Sequence, residues 1–214
     1  MWEICEVLEM LMTVIQGMMI GFAFVAPIGM QNLYVFNNAL TNSFRRSLMY
    51  VLFVWIADSL FSLAAFFGMG AIISSVTWLR LAVMIVGGLL VLWIGWGILR
   101  SADSVQLNTQ KNELPVKQAI VSAFIVSWAN PQALIDGSLM LGALRGTLAK
   151  DAVWPFIIGV VIATFIWFNT ITIVMNLLKE RLPKKVLVWV NIVSGLIVLV
   201  YGAYLLVQAL LDIF

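Results

Sequence analysis

Two aspartates, Asp58 and Asp136, lie inside stretches of sequence that are otherwise almost wholly apolar. Burying a charged carboxylate in apolar surroundings is unfavourable unless a partner offsets the charge. The interiors of these stretches contain no lysine or arginine to act as that partner. We therefore expect Asp58 and Asp136 either to bind a cationic substrate or to carry protons. The alternative for each is structural, a neutral acid that is hydrogen-bonded to a neighbouring helix.

A proline and a glycine interrupt the first apolar stretch, at Pro27 and Gly29. Proline removes a backbone donor and glycine loosens the helix, so we expect a break here. Two amides, Gln31 and Asn32, follow directly and are able to serve the backbone groups that a break leaves without partners. Transporters use such breaks to present helix ends to polar substrates. The alternative is a simple proline kink that is capped by its own amides.

The same chemistry recurs 104 residues later, where Asn130, Pro131 and Gln132 interrupt the fourth apolar stretch. Asp136 follows five residues after this proline. Similar breaks at corresponding positions of two halves are the sequence feature that best indicates a transporter binding site. We therefore expect the two breaks to line one site.

Other polar and aromatic side chains in the apolar stretches are less specific. Asn169 stands in the fifth stretch at about the position that Asp58 has in the second. Its amide either lines the same cavity or hydrogen-bonds between helices. Trp55 and Trp128, which lie close to the candidate site residues along the chain, either stack on a cation or, more commonly, pack between helices.

The composition shows that membrane-spanning helices must position these residues. Of the 214 residues, 63% are hydrophobic and 10% are charged, whereas soluble domains are about 45–50% apolar and roughly 25% charged. The mean hydropathy is +1.07. Membrane β-barrel strands alternate apolar and polar residues, but the apolar runs here are continuous. The sequence therefore predicts an all-α, polytopic membrane protein.

Six apolar stretches are each long enough to cross a bilayer, which takes about 20 residues. Three glutamates precede the first stretch, where a signal peptide carries positive charge, so we expect this helix to be retained. A polar linker at 100–117 divides the six into two sets of three within a single transporter domain, 1–214. The stretches are 10–36, 47–73, 79–99, 118–143, 153–178 and 186–211.

The two sets of three stretches resemble each other. A shift of 107 residues places residues 88–92, GLLVL, on residues 195–199, GLIVL. Because each set has three crossings, the second set must be inverted relative to the first, as in many secondary transporters. We therefore expect two inverted three-helix repeats, at about 10–99 and 118–211; chance similarity between glycine- and leucine-rich helices is the alternative.

The distribution of lysine and arginine between the loops predicts the orientation. The first, third and fifth loops carry nine of these residues, and the termini with the other loops carry three. The loops richer in positive charge face the cytoplasm. Both termini are therefore expected outside.

Several classes of chemistry are excluded by composition. The chain has no histidine and one cysteine, which removes histidine-dependent nucleophilic sites, cysteine- or histidine-based metal sites and intrachain disulfides. No phosphate-binding loop motif occurs, and the net charge of +2 is scattered without the basic run that binds nucleic acid. We expect no cofactor, no bound metal and no nucleic-acid partner. We also expect no enzymatic activity, although the two aspartates leave a membrane-embedded enzyme open as the less favoured alternative.

The segments PIGMQN at 27–32, AD at 57–58 and NP at 130–131, with Asp136, together resemble the LysE/ArgO family of bacterial amino-acid exporters. The family motif in the first helix is usually proline-x-glycine-proline-glutamine-asparagine, and Met30 stands here in place of the second proline. The resemblance covers essentially the whole chain. It is closer to the lysine/arginine branch than to the homoserine/threonine or cadmium branches.

The resemblance implies a secondary transporter in the bacterial cytoplasmic membrane that exports L-arginine or L-lysine, driven by the proton gradient or the membrane potential. Asp58 and Asp136 would neutralise the substrate cation or carry the coupling proton, and the two breaks would bind its α-carboxylate and α-amine. Alternative substrates are a neutral amino acid or a metal cation, the latter disfavoured because the core lacks cysteine and histidine. A membrane-embedded enzyme is the alternative from another class, and the oligomeric state is left open.

Overall fold

The computed structural model describes residues 2–26, 29–68, 76–102, 115–129, 137, 140–142, 144–145, 148–179, 181 and 184–212. Regular secondary structure in these ranges is helical throughout, which confirms the all-α prediction for the described chain. The helices are α1 Trp2–Val25, α2 Met30–Thr41, α3 Phe44–Phe66, α4 Thr77–Ala102, α5 Val116–Trp128, α6 Val153–Lys179 and α7 Lys184–Leu211.

Two helices, α1 and α2, occupy the place of the first predicted span. Helix α1 begins at Trp2 rather than at residue 10, so the glutamates near the N-terminus belong to the helix. The chain leaves the helix after Val25, and α2 begins at Met30 after an extended Gly29. Pro27 lies outside the described residues. The fourth predicted span contains α5, which ends at Trp128, and the described residues 140–142 and 144–145 are also helical.

Four segments of the described helices are long and apolar enough to cross a membrane. Two shorter apolar segments, Met84–Arg100 and Val116–Trp128, accompany them. The chain is therefore a multi-pass membrane protein. The four long segments are Ile4–Val25, Phe44–Phe66, Val153–Lys179 and Ile192–Leu211.

Glycines bring α1 and α6 into direct backbone contact. Gly17 and Gly21 form a G-x-x-x-G motif, a spacing that permits close helix packing either within a chain or between chains. A methyl group added at Gly17 would meet the Phe156 carbonyl, and one added at Gly159 would meet the Val14 carbonyl. The motif is thus used within the chain, where it leaves no room for a side chain between α1 and α6.

A second glycine contact joins α4 and α7, the last helices of the two sets. Each of four glycines lies against a leucine of the opposite helix, at 2.8–3.0 Å from the position that a Cβ atom would take. A shift of 107 residues converts these contacts into one another, so the contact is reciprocal. The pairs are Gly88 with Leu206, Gly195 with Leu99, Gly95 with Leu199 and Gly202 with Leu92.

Helix α3 lies between α5 and α6 and carries the candidate site on its buried face. Val51 and Val54 belong to one apolar cluster, and Phe61 and Ala65 belong to a second. Asp58 stands between these two pairs along the same face and is 3% exposed. The carboxyl group is therefore held at the junction of two apolar clusters, far from the ends of the helix.

Candidate functional site

The Asp58 carboxyl group is bound by a residue that the sequence also assigned to the site. Gln31, in the first turn of α2, donates from Nε2 to Oδ1 of Asp58 at 3.0 Å. The same nitrogen donates to Oγ of Ser127 on α5 at 3.1 Å. Gln31 therefore joins α2, α3 and α5 at one point, and it does so beside the break between α1 and α2.

The second carboxyl oxygen of Asp58 differs from the first in its hydrogen bonding. Oδ2 is buried and accepts no hydrogen bond from the described residues. Thr164 of α6 faces the carboxyl group, but its hydroxyl, which has one proton, donates to the Val161 carbonyl at 3.1 Å. One turn along α3, Oγ of Ser62 is also buried and without a hydrogen-bond partner in the described structure. A buried acceptor without a donor is costly, so a proton or a cationic group placed at these oxygens would be stabilised.

The start of α2 offers backbone donors next to this acceptor. Gly29 precedes the helix in an extended conformation, and its first turn has no side-chain cap. The first amide groups of a helix lack intrahelical acceptors and carry the positive end of the helix dipole, so they bind carboxylates well. Gln31 is the second residue of this turn and reaches Asp58. The turn whose backbone amides lack a side-chain cap is thus also the turn whose Gln31 side chain binds Asp58.

Asn32 stabilises the break itself. Its Nδ2 donates to the carbonyl of Val25, the last residue of α1, at 2.8 Å. Its Oδ1 accepts a hydrogen bond from Nε1 of Trp167 on α6 at 3.1 Å. The amide therefore holds the end of α1 against the start of α2, as the sequence allowed for an amide beside a break. The bond from Trp167 was not foreseen from the sequence.

The tryptophans near the site fasten helices together. Nε1 of Trp128 donates to the Ala57 carbonyl at 3.0 Å, which ties α5 to α3 beside Asp58. Nε1 of Trp55 donates to the Val161 carbonyl at 3.0 Å, which ties α3 to α6. These contacts agree with the packing role that the sequence favoured for both indoles.

Asn169 bonds to its own helix, and the groups described at Asp58 are Gln31 and Thr164. It is half-buried on α6, and its Nδ2 donates to the Phe165 carbonyl of its own helix at 2.8 Å. Thr164, five residues earlier, faces the carboxyl group instead. The sequence did not lead us to Ser127, Ser62 and Thr164. Their hydroxyl groups within long apolar runs were the feature that could have indicated them.

Five of the predicted site residues lie outside the described part of the chain, and the hypotheses about them remain predictions. The last described residue before the second break is Ala129, and Gly137 is the next. A methyl group at Gly137 would lie 3.2 Å from the Phe24 ring and 3.4 Å from Ala65 Cβ. The five are Pro27, Asn130, Pro131, Gln132 and Asp136.

Comparison with known proteins agrees with this picture. Residues 22–209 match the family described as LysE type translocator. Over 185 residues the chain is 32% identical to the arginine exporter protein ArgO of Klebsiella pneumoniae (strain 342), covering 84% of this chain and 86% of that protein. It is 31% identical over 187 residues to ArgO of Salmonella schwarzengrund (strain CVM19633), covering 85% and 87%. No solved structure matches the chain.

Proposed function

Because this chain belongs to the LysE type translocator family, we propose that it exports a basic amino acid, L-arginine or L-lysine, across the bacterial cytoplasmic membrane. The relatives in Klebsiella and Salmonella are named arginine exporters. Proteins of this family are transporters rather than enzymes, so the membrane-enzyme alternative is set aside.

The observation that carries the proposal is the buried Asp58 carboxyl group. Its Oδ2 accepts no hydrogen bond from the described residues, and its Oδ1 is bound by Gln31 from the uncapped first turn of α2. A basic amino acid has a cationic side chain and an α-carboxylate, and these match the acid and the helix end respectively. Gln31 holds the carboxyl group toward the break. The substrate would therefore bind with its cation at Asp58 and its α-carboxylate at the first turn of α2.

The second break supplies the remaining polar groups in this proposal. Asn130, Gln132 and Asp136 would face the same cavity, and the breaks at Pro27 and Pro131 would give its two ends. Asp136 would then be a second acid for the substrate cation or for a coupling proton. Asn169 would act within α6, because its amide already serves the Phe165 carbonyl.

The architecture that we propose is a single domain with six crossings in two inverted repeats. Helices α1 and α2 together would form the first crossing and α5 with the following segments the fourth. The reciprocal glycine–leucine contacts of α4 and α7 support this arrangement. Helix packing also supports it. Helix α1 of the first half packs on α6 of the second half, and α5 of the second half packs on α3 of the first half. The two contacts therefore join corresponding pairs of helices.

The orientation that we propose places both termini outside. The turns after α2 and α6 then face the cytoplasm, together with the residues 100–117. Their nine lysines and arginines, against three elsewhere, support this assignment. In a chain with Cys5 replaced by serine, a cysteine at Asp212 should react with an impermeant reagent from outside, and one at Asn108 should not.

Export is the experiment that tests the function. Cells that express the chain are loaded with an arginine- or lysine-containing dipeptide, and release of the labelled amino acid is followed with and without the chain. We expect release only with the chain, and we expect Asp58→Asn to abolish it while membrane expression is unchanged. Asp151→Asn, which removes an exposed carboxylate in a loop, is the matched control.

A neutral amino acid is the second candidate substrate. In that case Asp58 would bind only the coupling proton. Release of a neutral amino acid by the wild-type chain, without release of arginine or lysine, would overturn the basic-substrate proposal. Equal release by the Asp58→Asn chain would overturn the role of Asp58.

A further inference from the structure

The turn of α3 that begins at Asp58 carries three side-chain oxygens that lack hydrogen-bond partners. Oδ2 of Asp58, Oγ of Ser59 and Oγ of Ser62 are each buried and make no hydrogen bond within the part of the chain that the structure describes. Asp58 is 3% exposed and Ser62 is 0% exposed. These residues stand at positions i, i+1 and i+4, so their side chains leave the helix within about one turn of each other.

The two serines differ from other hydroxyl residues in the helices. Serine and threonine within a helix often donate to the carbonyl four residues earlier. Ser127 and Thr172 do so here, at 2.9 Å and 2.8 Å. Ser59 and Ser62 do not. Each of their oxygens therefore has two lone pairs that no described group uses.

The charge of Asp58 limits what these oxygens are able to hold. The described groups at the carboxyl group are the side chains of Gln31 and Thr164, and both are neutral. A single positive charge would neutralise the carboxylate. A divalent ion would instead leave a net positive charge between two apolar clusters, which is costly. The charge of this turn therefore matches a monovalent cation.

A metal ion fits these oxygens better than a proton does. Oδ2 of Asp58 and Oγ of Ser62 lie one turn apart on the same face, yet they are not hydrogen-bonded to each other. A proton on Oδ2 would satisfy that oxygen and leave the serine oxygens unpartnered. A hard cation contacts oxygen ligands at roughly 2.3–2.6 Å, so it is able to lie between oxygens that do not share a proton. Carboxylate and hydroxyl oxygens, without nitrogen or sulfur, are the ligands of such cations.

We propose that Asp58, Ser59 and Ser62 form a sodium site, and that Na⁺ is the ion that the chain exchanges for its substrate. The inference rests on the proposed function, in which the substrate cation binds the same carboxylate. Asp58 then holds either the substrate cation or Na⁺, but not both. Gln31 ties this carboxylate to the break between α1 and α2, and transporters coordinate coupling ions beside such breaks. Each cycle exports one basic amino acid and imports one Na⁺, so no net charge crosses the membrane.

Thermal unfolding of the purified chain tests the sodium site without relying on transport. Choline chloride is replaced by NaCl at constant pH and ionic strength. We expect Na⁺ at tens of millimolar to raise the thermal midpoint by several degrees, because a ligand that binds only the folded state stabilises it. Asp58→Asn should abolish the shift and Ser62→Ala should reduce it. Ser194→Ala, which alters a buried serine of α7, is the matched control and should keep the full shift.

Three results would overturn the sodium site. The first is a midpoint that does not respond to Na⁺, which is expected if only a proton or a water molecule serves these oxygens. The second is an equal shift with KCl. The third is a full shift in Ser62→Ala, and this variant decides the matter alone if Asp58→Asn does not fold, because it removes one hydroxyl group and no charge.

A transport experiment separates the sodium site from the proposed function. Proteoliposomes are loaded with labelled arginine, and release is measured with NaCl or choline chloride outside at the same pH. We expect release to be several-fold faster with external Na⁺, and we expect Ser62→Ala to raise the Na⁺ concentration for half-maximal release several-fold. Equal release in the two media would overturn the exchange and leave the proposed function intact. Absence of arginine and lysine release in both media would overturn the proposed function, and the thermal midpoint would still decide whether the chain binds Na⁺.

Discussion

The glycine contacts and the polar centre of the molecule are built in opposite ways. Between α1 and α6, backbone touches backbone at Gly17 and Gly159, and no space remains for a methyl group. Around Asp58, the buried oxygens Asp58 Oδ2 and Ser62 Oγ have no hydrogen-bond partner among the described residues. The first region gains stability from close packing in a lipid environment that gives helices no hydrophobic driving force to associate. In the second region, buried polar atoms lack hydrogen bonds that a bound ligand would be able to supply. Under the proposed function, stability and binding depend on different helix contacts.

The largest effect is expected where the packing is closest. Gly159→Leu would place a side chain against the Val14 carbonyl of α1, and because the obstacle is backbone, the helices must separate. Overpacking typically costs about 1–3 kcal/mol, and more where backbone must move, so we expect loss of folded protein from detergent extracts. Gly97→Leu, where no atom lies within 4 Å, is the matched control. Normal yield of Gly159→Leu in gel filtration would show that this contact does not carry stability.

The polar centre should respond in function rather than in yield. Asp58→Asn preserves shape but removes the charge, and loss of one partner of a desolvated ion pair typically costs ~3–5 kcal/mol, or roughly 10²–10³ in affinity. Net efflux and exchange of labelled for unlabelled arginine are both measured. Loss of both assigns Asp58 to the substrate cation. Loss of net efflux with retained exchange assigns it to the coupling proton, and retention of both removes it from the site.

The break between α1 and α2 should show an intermediate effect. Pro27→Ala restores a backbone donor, so the helix is able to continue and the uncapped start of α2 is lost. We expect normal insertion and unchanged or higher stability. Export should fall about tenfold or more, because the substrate would lose a charge-assisted hydrogen bond to the start of α2, which contributes about 1.5–3 kcal/mol. Efflux at the wild-type rate would mean that the interruption is only a kink.

The smallest effect is expected at Asn169. Its side-chain amide donates to the Phe165 carbonyl of its own helix, and the residue is half-buried on α6. In Asn169→Ala the Phe165 carbonyl keeps its backbone hydrogen bond within the helix. Side-chain hydrogen bonds in membrane proteins contribute only about 0.6 kcal/mol on average. We therefore expect arginine efflux to change less than about threefold. A loss as large as that of Asp58→Asn would return Asn169 to the binding site.

The sequence was sufficient for those parts of the site that are marked by an unusual residue type. A carboxylate within an apolar run, as at Asp58, is costly enough to stand out, and a proline with glycine predicts an interruption from local geometry alone. Family membership was visible for the same reason, because the motif around Gln31 and Asn32 is local. The all-α class followed from composition.

The partners of these residues were beyond the sequence because they depend on tertiary packing. Nothing local indicates that Gln31 bonds Ser127, which lies 96 residues away. The G-x-x-x-G spacing fits a contact within or between chains, and only the fold shows that Gly17 meets Phe156. The start of α1 was placed too late, because Glu3, Glu6 and Glu9 lower the hydropathy of a segment that is nevertheless helical.

The hydrogen bond from Asn32 to Val25 has a consequence for biosynthesis. An interrupted helix leaves carbonyls that cannot be solvated in hydrocarbon, at a cost of several kcal/mol each. The Asn32 amide is seven residues from the carbonyl that it satisfies, whereas Trp167 is 135 residues from Asn32. The bond can therefore form while the first segment leaves the translocon, before α6 with Trp167 has been synthesised. The nascent chain is thereby able to enter the lipid with its interruption already closed.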